Sequence, residues 1–242
     1  MVIELDSTLY DKPAGVLVDT KLARFAGLAY GDGYPQWGEI RVVTSNQEFK
    51  DSLVDLVKRI ALENRIGWRA YTRPRNISDN PQHTVALDST LIRRAFFDDM
   101  MQPRYDSMHS VAMEEDLAPH FQSGISDAEG SLLPPVPIES PHGRIFAMVN
   151  SDRRLLGISR LSLVSQIRLE PSSVRTRLSS HRGRKHETHG VTIVTRKNSY
   201  LIEILSGGKK KWLERVGTLL KHPQKSRVAA DLLRTYDQGA GR

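Results

Sequence analysis

The chain contains no cysteine. That excludes disulfides, thiolate zinc sites and cysteine nucleophiles, and suits a reducing compartment. It also lacks any apolar run near the roughly 18 residues that a membrane span needs, so no membrane partner is expected. Acidic Glu4 and Asp6 argue against a secretory signal, and the protein is expected in the cytoplasm. The alternation of strand and helix that builds a parallel doubly wound sheet is missing too.

What is present is a folded composition with uneven charge. The 242 residues are 39% hydrophobic, enough for one large domain or two small ones with cores of their own. The net charge is +7, but residues 1–116 hold 14 Lys/Arg against 18 Asp/Glu, and residues 117–242 hold 21 against 10. A polyanion engaged more heavily by the second half accounts for this asymmetry, as does a merely basic surface.

Hydrophobic periodicity divides the chain. Residues 1–18 show no strong period and read as an arm. A helix is predicted over Asp19–Tyr30, with Leu22, Phe25, Ala26 and Ala29 on one face, ended by Gly31-Asp32-Gly33 through glycine's tolerance of positive φ. A strand over Trp37–Thr44, a helix over Asn46–Asn64, strands over Ile66–Arg75 and Gln82–Leu87, and a helix over Ser89–Met101 follow. The order then returns: a helix over Glu115–Ala128, a strand over Arg144–Asn150, a helix over Arg153–Gln166, then strands over Ser173–Leu178 and Val191–Thr195. Closing elements follow over Tyr200–Leu205, Lys211–Leu220 and Lys225–Tyr236. The expected fold is α+β, with two pseudo-symmetric αββαββα subdomains built on antiparallel sheets. They span residues 19–105 and 117–242, with a linker at 106–116; the repeat is one of pattern, not of letters.

Two segments carry the chemistry. Phe25-Ala26-Gly27-Leu28-Ala29-Tyr30-Gly31-Asp32-Gly33 and Gln122-Ser123-Gly124-Ile125-Ser126-Asp127-Ala128-Glu129-Gly130 share a layout. Each has glycine third, a small residue seventh, an acid eighth and glycine last. Gly27 and Gly31, like Gly124 and Ala128, are four residues apart and share a helix face. Small side chains there allow two helices to pack backbone to backbone, which brings Asp32 and Glu129 together. Two carboxylates held that near repel unless cations lie between them. Oxygen ligands favour a hard divalent ion, Mg2+ with Mn2+ as a substitute, and such an ion supports hydrolysis of a phosphodiester. Gly31 and Ala128, beside the acids, belong to the expected metal site. One such segment alone is an ordinary helix stop; two at half-chain spacing are not.

Both segments resemble the LAGLIDADG motif of homing endonucleases, over about residues 20–235, and the pairing of an Asp with a Glu is similar to archaeal intron-encoded members. Tyr30 departs from the motif, at a place that is not a metal ligand. Asp127 is read as a structural residue at the helix end. The resemblance implies two antiparallel sheets forming a saddle over double-stranded DNA, motif helices at the pseudo-dyad, and metal-dependent cleavage across the minor groove, one strand per acid. With both motifs in one chain, a monomer is implied. An RNA maturase binding intron RNA, or a DNA-binding protein without catalysis, is the alternative on the same fold.

On such sheets one face carries the DNA contacts. Arg69, Tyr71, Arg73 and Arg75 stand at alternate positions of one strand, and Arg175 and Arg177 do so in the second half. Arg41 and Arg144 on preceding strands join them, as do Arg182, Arg184 and Lys185 in a basic hairpin loop. A solvated antiparallel face or loop would read the same way. His181, His186 and His189 invite a zinc reading, but show no fourth ligand. Gly208–Lys211 offers a phosphate clamp or a surface turn. For a polar residue near each scissile phosphate, the stretch after each motif supplies Asn46 and Gln47 in one half and Asn150, Arg153 and Arg154 in the other.

Overall fold

The computed structural model describes residues 1–5, 14–73, 81–132, 146–180, 182–183, 185–188, 191–194 and 197–239. Where the sequence reads as an arm, β1 (Val2–Leu5) pairs antiparallel with β2 (Ala14–Leu17). Strands of four residues are too short to display a period. Ile3, Val16 and Val18 nevertheless enter the core.

Helix α1 (Thr20–Asp32) starts at Asp19, whose carboxylate accepts from the Leu22 N–H at 2.8 Å. It is buried on every side from Leu22 to Tyr30, as a helix between two layers must be. Strands β3 (Gly33–Gln36) and β4 (Glu39–Thr44) form a hairpin, α2 (Gln47–Asn64) crosses the sheet, and β5 (Gly67–Arg73) and β6 (Gln82–Asp88) complete it. The strand order is β3-β4-β6-β5, all antiparallel. Ile40, Val42, Val85 and Leu87 point inward, and α2 lays Phe49, Leu53, Val57 and Ile60 along that face. The next helix, α3 (Thr90–Phe96), is shorter than predicted. Phe97 turns extended and pairs with Pro103. The opening hairpin packs on α3.

The segment expected as a linker is mostly helix, α4 (Tyr105–Met113), with Met108, Val111 and Ala112 buried. The second half follows as α5 (Ala118–Glu129), β7 (Gly130–Leu132), β8 (Phe146–Asn150), α6 (Arg153–Ser165) and β9 (Val174–Ser180). It continues with β10 (Lys185–Thr188), β11 (Val191–Val194), β12 (Ser199–Ile204), α7 (Lys209–Arg215) and α8 (Pro223–Gly239). Its main sheet runs β7-β8-β12-β9, so β7, β8, β12 and β9 take the places of β3, β4, β6 and β5. The pseudo-symmetry expected from the motif spacing is therefore carried by topology. β10 and β11 form a separate two-stranded sheet, so the predicted basic loop already enters a strand at Lys185.

The predicted phosphate clamp at Gly208–Lys211 does not form. Lys209 is buried, Lys210 pairs with Asp237 at 3.1 Å, and Lys211 donates to the Arg168 carbonyl at 2.9 Å. No described helix is long and apolar enough to cross a membrane.

Candidate active site

The two motif helices, α1 and α5, make the most extensive contact between any two elements. A Cβ built on Gly27 would lie 2.2 Å from the Phe121 carbonyl oxygen, and one on Gly124 would lie 2.1 Å from that of Arg24. No larger residue fits where two backbones meet this closely. One turn on, a Cβ on Gly31 would meet the Ala128 Cβ at 2.5 Å and the Glu129 Cγ at 3.1 Å. The small residues therefore act at both levels of the seam, as their spacing predicts.

Each helix delivers its acid at its last residue. The glycine that follows is not there for positive φ: Gly33 has φ −76° and Gly130 φ −78°, both extended. Space is the reason. A Cβ on Gly33 would fall 2.3 Å from the Ala29 carbonyl oxygen, and one on Gly130 would strike the Phe146 ring at the same distance.

At the paired ends, burial pushes the Asp32 carboxyl up, with the Lys225 ammonium opposing the shift. Glu129 is pushed up to about 7, first by burial and then by the charge of Asp32, while Asn150 and Lys225 pull the other way. Asn150 Nδ2 donates to Glu129 Oε1 at 2.7 Å. Lys225, on α8, donates to the carbonyls of Ser126 and Asp127 at the end of α5. Its charge acts on both acids, and its own burial lowers its pKa. Sequence reasoning missed this lysine. It follows the whole second sheet, and nothing local distinguishes it from neighbouring basic residues.

The donor set at the two helix ends is oxygen only, and its carboxylates stand together at an electrostatic cost that a cation would relieve. Gly31 and Ala128 sit in the last turns, whose carbonyls lie beyond the helices' own N–H groups. These groups fit a hard divalent ion. Among the described residues no cluster of three or more His, Asp or Glu is placed to hold a metal, so protein carboxylates would supply only part of the shell.

Asp127 serves the fold, as its reading from sequence has it. It is buried, ion-paired with Arg24 of the opposite motif helix, and accepts from the Lys221 and His222 N–H groups at 3.0 and 3.1 Å. Arg24 also donates to Ser123 at 3.0 Å and to the Leu219 carbonyl.

Of the predicted polar residues, the structure brings only Asn150 to the acids. Asn46 caps α2, its side chain accepting from the Phe49 N–H at 2.8 Å, and Gln47 is exposed and bonded to Asp51. The guanidinium of Arg153 lies over Tyr200 at 5.0 Å, and that of Arg154 over Tyr105 at 5.1 Å. Register explains the correction. Gly33 stands opposite Val42, and Gly130 opposite Met148. Thr44 therefore occupies the place of Asn150, and Asn46 that of Asp152, the cap of α6. Thr44 Oγ1 accepts from the Asn46 N–H at 3.1 Å, and Asn150 Oδ1 from the Asp152 N–H at 2.7 Å.

The predicted stripes share a face. Through β6, Arg41 and Arg69 both register on Ala86, and Tyr71 and Arg73 follow on the same side, away from the helices. Arg175 and Arg177 do likewise on β9. Arg73 lies over Tyr71 at 4.9 Å, and Arg182 is exposed. Arg75, Arg144, Arg184, His181 and His189 lie outside the described residues, and the side chains of Lys185 and His186 lie outside them too.

No family model matches the chain, and no curated protein matches it in sequence. Its fold is similar to a solved structure of the homing endonuclease I-WcaI bound to its DNA recognition sequence. The TM-score is 0.50 over 88% of this chain and 88% of that one, at 11% identity. At that identity the likeness is one of fold, and it accords with the paired α+β halves and antiparallel sheets described above.

Proposed function

We propose that this chain is a LAGLIDADG-type homing endonuclease, a monomer that cuts both strands of a long double-stranded DNA site by metal-dependent phosphodiester hydrolysis. The observation that carries the reading is the convergence of Asp32 and Glu129 at the ends of two helices packed glycine to glycine. The fold it shares with a DNA-bound homing endonuclease supports the same reading. Intron encoding and an intracellular setting alongside host DNA belong to this reading.

Asp32 and Glu129, with the Gly31 and Ala128 carbonyls, would hold Mg2+, or Mn2+ in its place. The ion would supply hydroxide near neutral pH and neutralise charge at the leaving oxygen. The chain's own residues do the rest. The motif helices fix the separation of the acids, so that each strand of a duplex crossing the pseudo-dyad meets one of them. Asn150 orients Glu129 and favours its ionised form. Lys225 adds a positive charge that faces both acids. The outer faces of the two sheets carry the arginines that would meet the duplex on either side.

The test is incubation with Mg2+ and a plasmid library carrying a randomised insert, followed by sequencing of linearised products. The parent is expected to linearise a narrow set of plasmids, and Asp32→Asn and Glu129→Gln to linearise none. Variants that cut as the parent does would sink the mechanism.

A further inference from the structure

Four arginines of the outer sheet faces, Arg41, Arg69, Arg175 and Arg177, are paired with carboxylates. Arg175 points Nε and Nη2 at Glu203 Oε2, at 2.9 and 2.6 Å. Arg177 points the same two nitrogens at the same carboxylate, at 3.1 and 3.0 Å. Glu203 is 1% exposed at its side chain, while the two arginines are 54% and 50% exposed. The first sheet repeats the device with a different acid. Glu39, also buried, accepts from Arg41 Nε and from Arg69 Nη2, and Arg69 Nε faces Asp88 at 3.2 Å. By register Arg69 and Arg175 hold the same place, yet Glu39 lies on β4 and Glu203 on β12. The two halves thus brace one arginine position from different strands.

This geometry decides what the arginines address. A guanidinium is planar with five N–H donors. With its Nε–Nη2 edge on a carboxylate, it turns its Nη1 end outward in a fixed direction. Charge argues in the same sense. Glu203 offsets one of the two positive charges of Arg175 and Arg177, and Arg41 and Arg69 with Glu39 and Asp88 sum to none, so these groups pull on phosphate less than the same arginines would without their carboxylates. What they keep is directed hydrogen bonding. The planar acceptor pair that suits an arginine in the major groove is guanine N7 and O6. Arg73, lying over Tyr71 rather than on a carboxylate, suits a phosphate instead.

We infer that Arg175 and Arg177 read guanine bases in the half-site under the second sheet, and that Glu203 is the positioning residue that holds them to that task. This rests on the reading of duplex DNA as the partner. Pulling either arginine away to a phosphate would break its ion pair and both of its hydrogen bonds to the buried Glu203 carboxylate, which is costly. The braced pair therefore stays on the sheet and meets base edges there.

The experiment selects bound duplexes from a randomised library in metal-free buffer and measures the retained sequences again with 7-deazaguanine in place of guanine, which lacks the N7 acceptor. The parent is expected to retain duplexes with guanines clustered in one half-site, and each replacement there to weaken binding by about tenfold. Arg177→Lys keeps the charge but loses the fork, so one guanine preference should vanish with the salt dependence unchanged. Glu203→Gln releases both arginines, so guanine preference should broaden while the salt dependence steepens by about one unit per new phosphate contact. A Glu203 that merely supports the fold would weaken binding to all sequences without that steepening, which would overturn its assigned role. If Glu203→Gln does not fold, Arg177→Lys carries the test. Retained duplexes that are indifferent to 7-deazaguanine would overturn the inference alone. A parent that retains no duplex would overturn the inference and the reading of DNA as partner together.

Discussion

Tyr30 and Asp127 hold the same place in the two motifs, two residues before the acid, and each fastens its motif helix to the segment that closes its own half. Tyr30 Oη donates to the Phe96 carbonyl at 3.0 Å, just beyond the first sheet. Asp127 accepts from the Lys221 and His222 N–H groups, between α7 and α8. A phenol and a carboxylate thus do the same task with opposite hydrogen-bonding roles, one donating to a carbonyl and the other accepting from amides. Tyr30 and Asp127 differ in chemistry while standing at equivalent positions of the two helices.

That pairing predicts which motif residues carry stability. Asp127→Ala would leave Arg24 buried without its counter-charge and two N–H groups without an acceptor. A loss of about 3–5 kcal/mol in denaturant unfolding is expected. Tyr30→Phe removes one buried hydrogen bond and should cost about 1–2 kcal/mol. An Asp127→Ala protein as stable as the parent would show that the ion pair with Arg24 does not hold the helices together.

Glycine substitutions should separate the seam from an ordinary helix. Gly27→Ala and Gly124→Ala each set a methyl group within 2.2 Å of a facing carbonyl oxygen. The helices must part, with a loss of about 3 kcal/mol or more and of any activity that needs both acids. Gly157 sits inside α6 with nothing within 4 Å of a built Cβ. Gly157→Ala should instead gain about 1 kcal/mol from helix propensity. Thermal unfolding of the three variants checks the contrast, and a neutral Gly27→Ala would contradict the close packing.

The sequence makes the seam legible because the information is local: Gly27, Gly31, Gly124 and Ala128 repeat at the helix period, and an acid ends each run. The arginine stripes are legible at the strand period, but their partners are not. Glu39 is 30 residues from Arg69, and Glu203 is 28 from Arg175, each across a crossover helix or a hairpin. Lys225 is further still from Asp32. Asn46 is misread for another reason. Counting forward from each motif ignores the register of the hairpins, and a polar residue just before a helix is first of all a cap. The arm at 1–18 hides a hairpin because each of its strands is shorter than the span over which alternation can be recognised.

The two halves of the site are unequal at the position after the second strand, and the inequality is measurable. Asn150 bonds Glu129, whereas Thr44, in the matching place, bonds the backbone of Asn46. On the proposed mechanism, Asn150→Ala should slow the strand served by Glu129 by about 10–100-fold and spare the other. Nicked circles would then accumulate on a target plasmid. Thr44→Ala should produce no comparable nicked intermediate. Equal slowing of both strands by Asn150→Ala would mean that Asn150 acts on the fold and not on one acid.

Glu129 also predicts how stability depends on pH in metal-free buffer. Its carboxyl is raised to about 7 in the folded protein, while an unfolded chain titrates near the usual value of about 4.3. Between these values the folded state keeps a proton that the unfolded state releases, so the unfolded state binds fewer protons and stability falls as pH rises through the window. Glu129→Gln cannot ionise. Its Tm should therefore exceed the parent's at pH about 8, and the gap should narrow as pH falls and close only below about 4.3, where the carboxyl is protonated in both states of the parent. Mg2+ should act in the opposite sense. It favours the ionised pair, so it should raise the parent's Tm at pH about 8, by an amount equivalent to about 2.7 kcal/mol at a hundredfold excess over Kd. It should do much less for Glu129→Gln. Calorimetry of the two proteins with and without Mg2+ measures both effects. An equal Mg2+ response in parent and variant would remove Glu129 from the cation site, and a constant Tm difference across pH would show that its raised pKa is not what separates them.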